Sequence, residues 1–314
     1  MEPANNKKFL RDVTLREGLD TPQVRFSLDQ RVRIACALEK VGVREAEVVA
    51  PSRVAADLQI AQALKRHCRQ LKFSGLIYAY GIECGREIEQ SAETLDRFDL
   101  LMPASLKRPP LGVDEKRRTL REAVKKAARW KSKFGVGIPH AFQSKPEIVI
   151  GLVEEAMHGG ARRVTVYDTN GGADPLTVGK LIRKMKKRAD VELFFHGHND
   201  LGMATANSLL AVQEGADGLD VTVNGLGDRA GNASLEQVAA ALHVKGYDTG
   251  LVLGGIRELC KKVADESSVK MSKLAPVVGE FVYWHRSPSH LPMPELFEAF
   301  DPRLFASLRR VSEK

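Results

Sequence analysis

The chain has 314 residues, 43% of them hydrophobic, and carries a formal net charge of +8 at pH 7. This length suits a single large domain, and no apolar run approaches the roughly 20 residues that a membrane-spanning helix needs. The first residues lack the apolar segment of a secretory signal, and the four cysteines are scattered without a CxxC pair. We therefore expect a cytoplasmic protein without a membrane partner.

The positive charge is spread along predicted helices and does not form a nucleic-acid-binding motif. Residues 179–188 are an example, because Leu181, Ile182 and Met185 keep helical spacing between their basic neighbours. We interpret such runs as solvated helix faces and expect no nucleic-acid partner. The net charge remains compatible with a phosphorylated small molecule as a ligand.

Short apolar runs alternate with helical patterns along most of the chain. The first helix begins after Ser27, a good N-cap, and has Ile34, Leu38 and Val41 on one face. The eight predicted strands lie at 9–14, 45–49, 73–79, 98–102, 135–138, 163–167, 191–196 and 219–223. The predicted helices that follow the later strands lie near 53–68, 85–95, 114–133, 146–158, 174–188, 203–213 and 234–243.

This alternation predicts an α/β protein with a parallel sheet. Eight strand–helix units in about 245 residues have the size of a (β/α)8 TIM barrel, and a doubly wound sheet with two extra units is the alternative. A further helix at 256–264 leads to a Pro-rich and aromatic tail. We therefore predict a catalytic barrel over residues 1–265 and a short C-terminal lid or dimerisation extension over residues 266–314.

Two histidines lie at the end of the seventh predicted strand. His196 ends the apolar run 191–196, and His198 follows it. Side chains two residues apart on a strand leave the same face of the strand. Both imidazoles should therefore point at one spot, where they form a minimal platform for a divalent metal. An ordinary pair of surface or hydrogen-bonded histidines is the alternative interpretation.

Polar residues also follow two strands that a barrel places nearby. Arg16 and Glu17 come after the first strand, and Asn232 ends the glycine-rich segment 224–232 after the eighth. A carboxylate, two imidazoles and a carboxamide suit Zn, Mn, Co or Mg with open positions for substrate oxygens. Arg16 would place a fixed positive charge where an enolate develops. The glycines could instead cradle a phosphate, although they lack the usual spacing for that role.

Three segments together resemble one enzyme family. They are LREG at 15–18, HGHND at 196–200 and TVNGLGDRAGNASLEQV at 222–238. The set resembles the 2-isopropylmalate, homocitrate and citramalate synthases, whose wider superfamily includes 3-hydroxy-3-methylglutaryl-CoA lyase. The resemblance covers residues 8–245 and implies a TIM barrel, a divalent metal, an acyl-CoA donor and a 2-oxo acid acceptor.

The resemblance also assigns roles to residues by position. Glu17, His196 and His198 match the family's metal ligands, and the position of Asn232 is also placed at the metal. Arg16 matches the arginine that polarises the keto group of the acceptor.

Two further positions match outside this group. Glu47 occurs where the homocitrate synthases carry a glutamate of the acceptor site, and the LREG form of the first motif is also theirs. Thr169 matches the DT-G motif that follows the sixth strand. The resemblance therefore implies that both residues belong to the active site.

The tail extends the resemblance. His285 and His290 keep the spacing of a family segment whose second histidine reaches the active site of a partner subunit as a catalytic acid/base. A Pro-Ser pair at 288–289 replaces the family's Gly-Ile. The resemblance implies a homodimer in which His290 serves the neighbouring barrel, and a lid or dimer contact without a catalytic role is the alternative.

Several positions depart from the family pattern. Asp20 replaces the glutamine usual after the LREG-type motif, which adds a negative charge near the metal. Residues 137–143 lack the Ser-x-Glu-Asp block of the synthases' fifth strand, so homocitrate synthase specificity does not follow. No cysteine lies in the glycine-rich loop, where the lyases use one.

The expected activity is therefore a metal-dependent Claisen condensation. An acyl-CoA, with acetyl-CoA as the expected donor, would attack a 2-oxo acid, so that the partners of the protein are small molecules. A retro-aldol or retro-Claisen lyase that uses the same metal and Arg16 is the first alternative. A barrel that binds a metal or a small ligand without catalysis is the second.

Overall fold

The computed structural model describes residues 6–107, 109–130 and 133–312. Eight parallel strands follow one another around a closed barrel, which the pairing of the first strand with the eighth completes. The strands are β1 (Phe9–Asp12), β2 (Glu45–Val49), β3 (Lys72–Tyr78), β4 (Arg97–Leu101), β5 (Phe134–Ile138), β6 (Arg163–Asp168), β7 (Glu192–Gly197) and β8 (Gly218–Val221). The predicted TIM barrel is confirmed, and the doubly wound alternative is wrong.

A helix follows each strand on the outside of the barrel, and a ninth comes after the last unit. The helices are α1 (Leu28–Lys40), α2 (Val54–Lys65), α3 (Cys84–Thr94), α4 (Val113–Ala127), α5 (Pro146–His158), α6 (Pro175–Lys186), α7 (Ala204–Gln213), α8 (Leu235–Val244) and α9 (Leu253–Ser267). Within the described residues, no helix combines the length and the apolarity needed to cross a membrane.

Two of the predicted helix boundaries differ from the structure. The helix predicted at 114–133 ends at Ala127 and continues as a 3-10 turn (Ala128–Trp130), while positions 131 and 132 lie outside the described residues. The last helix begins at Leu253, before the apolar pattern from which it was predicted at 256.

Local sequence explains where several helices begin. The Ser27 hydroxyl accepts from the backbone N–H of Gln30, whose side chain accepts from the N–H of Ser27, and this capping box starts α1. Asp174 caps α6 by accepting from Thr177 N at 3.0 Å. Pro146 begins α5, where a missing N–H has no cost.

The main core lies between the strands and the surrounding helices. Val48, Ile77 and Leu100 on the strands and Ile88 on α3 are fully buried in it. Inside the barrel, alternate strand residues form layers of side chains. Two glycines of β5, at positions 135 and 137, leave room there, because a Cβ at either would overlap Asp99 or Leu101 of β4.

The segment after α9 is irregular and packs on the barrel of its own chain. Its two short strands, β9 (Trp284–His285) and β10 (Arg310–Val311), pair in parallel, and it contains two 3-10 turns, at Pro294–Phe297 and Pro302–Phe305. Phe305 is fully buried in the main core, and Ser307 Oγ accepts from Arg257 of α9 at 2.9 Å.

Candidate active site

Glu17, His196 and His198 converge at the carboxyl end of the barrel strands. One ligand atom from each lies within 4.8 Å of the other two, and all three side chains are buried. His198 Nε2 lies 3.6 Å from Glu17 Oε1. In the part of the chain that the structure describes, no other three His, Cys, Asp or Glu side chains group in this way. One carboxylate and two imidazoles form a donor set that suits a divalent transition metal or Mg.

Backbone hydrogen bonds fix these three residues. Glu17 opens a 3-10 turn (Glu17–Asp20) just after β1, and its N–H donates to Val13 O at 2.8 Å. His196 lies in β7, and the N–H of His198 donates to Asp168 O at 3.3 Å. The two imidazole rings are adjacent, with centroids 5.1 Å apart, as the two-residue spacing on a strand predicts.

A buried chain of hydrogen bonds orients His196. Its Nδ1 lies 3.0 Å from Asp220 Oδ2, and the Asp220 carboxylate accepts two hydrogen bonds from Arg11, at 2.7 and 2.9 Å. Burial opposes ionisation of Asp220, but Arg11 and His196 outweigh it and hold the pKa of the carboxyl below its usual range. With Nδ1 directed at this carboxylate, Nε2 keeps its lone pair for a metal. Neither Arg11 nor Asp220 was predicted as a site residue from the sequence.

His198 is neutral at physiological pH. Burial, followed by the charges of His196, Arg229 and Arg16, lowers the pKa of His198 to about 2. Its imidazole therefore offers a lone pair, as metal ligation requires.

Asn232 joins the group from the loop after β8. Its Nδ2 lies 3.0 Å from His196 Nε2, and its Oδ1 is buried without a hydrogen-bond partner. A Cβ at Gly227 would overlap the Asn232 amide, and a Cβ at Gly231, where φ is +83°, would overlap the backbone of Gly225. Close packing inside the loop therefore accounts for these glycines without a bound phosphate.

Arg16 lies between two carboxylates beside the metal-binding group. Its Nε donates to Glu47 Oε1 at 2.6 Å, and its Nη1 contacts Glu17 Oε2. Burial disfavours the charged guanidinium, but Glu47 outweighs this and raises the pKa of Arg16. The second oxygen of Glu47 has no hydrogen-bond partner and lies 3.6 Å from Arg11 Nη1. The two residues assigned by resemblance are thus in direct contact.

An apolar cluster adjoins the histidines inside the barrel. Leu76, Leu101 and Tyr167 are buried together, separate from the main core, and Tyr78 packs against them. The Tyr167 ring lies 4.6 Å from that of His196, and its hydroxyl is buried without a hydrogen-bond partner. Tyr167 was not predicted as a site residue from the sequence, and the register of β6 against β7 places it opposite His196.

Thr169 lies at the rim of this site. Its hydroxyl accepts from the backbone N–H of His140 at 2.7 Å, and its carbonyl accepts from Arg229 Nη2 at 2.8 Å. Asp20, three residues after Glu17, is exposed and lines an outer cleft.

His290 contacts two other residues of the tail, His285 and Phe297. Its ring stacks on Phe297 with centroids 3.7 Å apart, and its Nδ1 lies 3.3 Å from His285 Nδ1. Nε2 of His285 in turn lies 3.1 Å from a carboxylate oxygen of Glu298. Its place in the active site of a partner subunit stays a prediction.

Two further buried acids support the loops around the site. Asp12 accepts from the N–H and the hydroxyl of Thr14, at 3.0 and 2.9 Å, and that hydroxyl accepts from Val223 N at 2.8 Å. Burial raises the pKa of Asp12 to about 7. Glu236 accepts from Asn224 N at 3.2 Å, and burial raises its pKa as well.

The HMGL-like family matches residues 8–263 of the chain. The chain belongs to this family. It is 31% identical to 2-isopropylmalate synthase 2 of Caldanaerobacter subterraneus, over 94% of this chain and 78% of that protein. It is also 31% identical to the homocitrate synthase AksA of Methanocaldococcus jannaschii, over 96% of this chain and 77% of that protein. The predicted family is therefore confirmed.

Other relatives of this HMGL-like protein are longer or share less of its sequence. The 2-isopropylmalate synthase of Pyrococcus furiosus is 32% identical over 93% of this chain, which spans 62% of that protein. The hydroxymethylglutaryl-CoA lyase of Pseudomonas aeruginosa superposes with a TM-score of 0.73 at 18% identity, over 85% of this chain and 95% of that chain. At this identity the likeness shows the fold alone.

Proposed function

We propose that this HMGL-like protein condenses an acyl-CoA, with acetyl-CoA as the donor, with a 2-oxo acid. The observation that carries the proposal is the contact of Arg16 with both Glu47 and Glu17, beside the two histidines and inside one buried site. The names of the synthase relatives support the same reaction class. The 2-oxo acid acceptor would lie beside the fixed positive charge of Arg16 and next to the metal-binding group.

Glu17, His196 and His198 would hold the divalent metal, with Asn232 near or in its coordination shell. The donor atoms fit, because Nδ1 of His196 faces Asp220 and its Nε2 lone pair faces the site, where a bound ion would replace the 3.0 Å contact of that atom with Asn232 Nδ2. Asn232 Oδ1 is buried without a partner. A bound Zn, Mn, Mg or Co ion would supply Lewis acidity toward the keto oxygen of the acceptor.

Arg16 stabilises the charge that develops during bond formation. As the α-carbon of the acyl-CoA attacks the keto carbon, negative charge moves to the keto oxygen. The guanidinium is already oriented by its 2.6 Å hydrogen bond to Glu47, so it does not have to reorganise when this charge appears. Glu47 thus positions Arg16 and borders the acceptor.

The proton balance needs one acid/base group. A base removes the α-proton of the acyl-CoA, the new carbon–carbon bond forms, and the keto oxygen gains a proton. Water then cleaves the thioester and releases the CoA thiol, which drives the condensation forward. His290 of the partner subunit is the proposed acid/base, and Thr169 would border the site from the β6 loop.

The proposal includes a homodimer. In the tail, five large apolar side chains are at least half exposed: Leu274, Met293, Leu296, Phe297 and Leu308. An apolar surface of this kind is typical of a segment that packs against a partner. We propose that residues 266–314 form this contact and that residues 1–265 form the catalytic barrel.

A thiol-release screen tests the reaction. The purified, metal-loaded chain is mixed with acetyl-CoA and a panel of 2-oxo acids, and free CoA is measured against the Glu17→Gln variant as the control. CoA that appears with one acceptor, and only with the unmodified chain, supports the proposal. Cleavage of a 3-hydroxyacyl-CoA or of a 2-oxo-4-hydroxy acid would make the protein a lyase, and metal binding with neither reaction would make it a binding protein.

A further inference from the structure

A cationic cleft of about 530 Å³ lies beside the site, between the loop after β1 and the start of α2. Arg25 lines it from the loop after β1, Arg31 from the first turn of α1 and Arg53 from the N-cap of α2. Leu19 and Asp20 line it as well, and they belong to the same 3-10 turn as Glu17. The cleft therefore opens at the end of the barrel that carries the metal-binding group.

The arginines of this cleft have few anionic partners. Arg25 donates to Val24 O at 2.7 Å, and Arg31 Nε donates to Phe26 O at 3.3 Å. Across the described ranges, neither of these two forms an ion pair, and Nη1 of Arg31 is buried without any hydrogen-bond partner. A buried guanidinium donor without an acceptor is costly to the free protein.

Arg53 and Asp57, which also line the cleft, do not supply the missing partner of Arg31. Arg53 Nε lies 3.4 Å from Asp57 Oδ2, an oxygen that also accepts from Ala50 N. Burial lowers the pKa of Arg31, Asp57 partly restores it, and the charge of Arg53 lowers it again. Arg31 and Arg53 are thus close enough to repel each other in a partly desolvated space. An anion between them would remove this repulsion.

Two arginines on other outer helices, in contrast, are paired with glutamates. Arg33 contacts Glu266 at 2.6 Å, and Arg121 contacts Glu155 at 2.7 Å. Helix α2 adds a second attraction for anions at the cleft, because no side chain caps its first turn and Ala56 of that turn lines the cleft. An uncapped helix amino terminus offers N–H groups and a positive dipole end.

We propose that this cleft binds the phosphates of the nucleotide of the acyl-CoA, an inference that rests on the proposed function. Coenzyme A carries a diphosphate and a 3′-phosphate at one end of a long pantetheine arm and the reactive thioester at the other. The cleft would hold the phosphate end of such a molecule, and the thioester at its other end would lie beside Glu17. Bidentate guanidinium–phosphate contacts are among the strongest polar contacts in proteins.

Two other basic clefts fit this ligand less well. One is lined by Lys7, Lys8 and Arg44, next to the first residues of β1, so it lies at the opposite end of the barrel from Glu17. The second lies between α5 and α6 and holds Lys180 and Lys184, but its lining is mainly apolar, and Lys184 already pairs with Glu147 at 3.1 Å. Lys180 is exposed and supplies a control for the loss of one positive charge outside the cationic cleft.

The test is the equilibrium binding of CoA and of pantetheine, which lacks the phosphates, by calorimetry with the full chain. The Arg31→Gln/Arg53→Gln double variant should bind CoA about 100-fold more weakly, because each of the two lost charge-assisted contacts is worth about one factor of ten. Its affinity for pantetheine should not change. Asp20→Asn should bind CoA more tightly, since it removes a negative charge from the cleft.

Lys180→Gln, which removes one positive charge from the α5–α6 cleft, is the control and should bind CoA like the unmodified chain. Unchanged CoA affinity in the double variant, or an equal loss in Lys180→Gln, overturns the assignment. If the double variant melts early, the exposed Arg53→Gln single variant replaces it in the same comparison. Binding is measured without a 2-oxo acid acceptor. A chain that binds CoA in this cleft but catalyses no condensation therefore refutes the proposed function without overturning the assignment of the cleft.

Discussion

The two ends of the barrel differ in how completely their buried charges are paired. We call the end at which the strands begin, with Arg163 and Glu45, the floor, and the end at which they finish, with Glu17 and His198, the mouth. At the floor, Arg163 donates to both oxygens of Glu45 at 2.9 Å and lies 4.1 Å from the centre of the Phe194 ring. Arg11, the next layer up, donates to Asp220 and to Asp99 with bonds of 2.7 to 2.9 Å. These charges are satisfied by the chain alone.

The mouth leaves several buried polar atoms without hydrogen-bond partners. They are Glu47 Oε2, Tyr167 Oη, His198 Nδ1 and Asn232 Oδ1. Buried polar groups are normally paired, so such a group of exceptions marks a surface that a ligand completes. We infer that the floor serves folding and that the mouth serves ligand binding, which agrees with the division of roles between the two ends of TIM barrels.

The largest expected effect is on stability, at the floor. Arg11→Met should lower the free energy of unfolding by about 3–5 kcal/mol, because it leaves Asp220 and Asp99 buried without their shared cation. Denaturant unfolding of the metal-free protein measures this. Arg183→Met, which breaks the exposed pair with Glu214, is the control and should change stability by less than about 1 kcal/mol. Equal stability of the two variants would show that the ion pairs of Arg11 do not stabilise the fold.

At the mouth, the expected effect is on turnover. Arg16→Lys keeps the positive charge between Glu17 and Glu47 but loses the planar fork of donors. It should lose at least about 100-fold in kcat/KM, as expected when a preorganised donor to a developing oxyanion is removed. The free energy of unfolding should fall by less than in Arg11→Met, because the lysine keeps a positive charge between the two buried carboxylates. Near-normal turnover would contradict the role given to Arg16.

Asp12, at the end of β1 between the floor and the mouth, makes the stability of the fold depend on pH. The pKa of Asp12 is raised by burial to about 7 in the folded chain, against an ordinary value of 3.8, so the folded state holds the proton more tightly than the unfolded state. The contribution of Asp12 is therefore greatest in acid and is lost as the pH rises through about 7.

Asp12→Asn should flatten this dependence. Relative to the variant, the unmodified chain should lose about 3 kcal/mol of unfolding free energy between about pH 5 and about pH 8. Denaturant unfolding at the two pH values gives the difference directly. Parallel curves for the two proteins would show that Asp12 stays ionised in the folded chain.

The smallest effect is a partial recovery of activity in mixed subunits. Chains with His290→Ala, mixed with Arg16→Lys chains, should recover about a quarter of the unmodified activity after random exchange, because half of the dimers then hold one intact composite site. A kinetic assay before and after exchange measures this. A monomer in light scattering, or no recovery despite exchange, would make His290 a residue of the tail alone.

The sequence predicted those parts of the molecule that depend on neighbours along the chain. The two-residue spacing of His196 and His198 on a strand is a local property, and so are the capping of α1 by Ser27 and the alternation of strands and helices. Glu17 and Arg16 follow the first strand directly, so a closed barrel brings them to the same end as the histidines.

The rest depends on contacts between distant segments. Arg11 meets Asp220 from the opposite end of the sequence, and Tyr167 meets His196 only through the register of two neighbouring strands. The sequence around a charged strand residue does not identify its partner, because the two side chains meet only in the closed barrel. The cationic cleft is of the same kind, since Arg31 and Arg53 come from different strand–helix units.

Metal reconstitution of the condensing activity tests whether the reaction depends on Glu17, His196 and His198 as metal ligands. The chain is stripped with a chelator and titrated with Zn, Mn, Mg or Co, and both bound metal and CoA release from acetyl-CoA with the preferred 2-oxo acid are measured. We predict that one equivalent per chain restores the activity, and that the His196→Ala/His198→Ala double variant, compared with His243→Ala, neither holds the metal nor recovers. Full metal occupancy in that double variant, or condensation that survives chelation, would contradict the account.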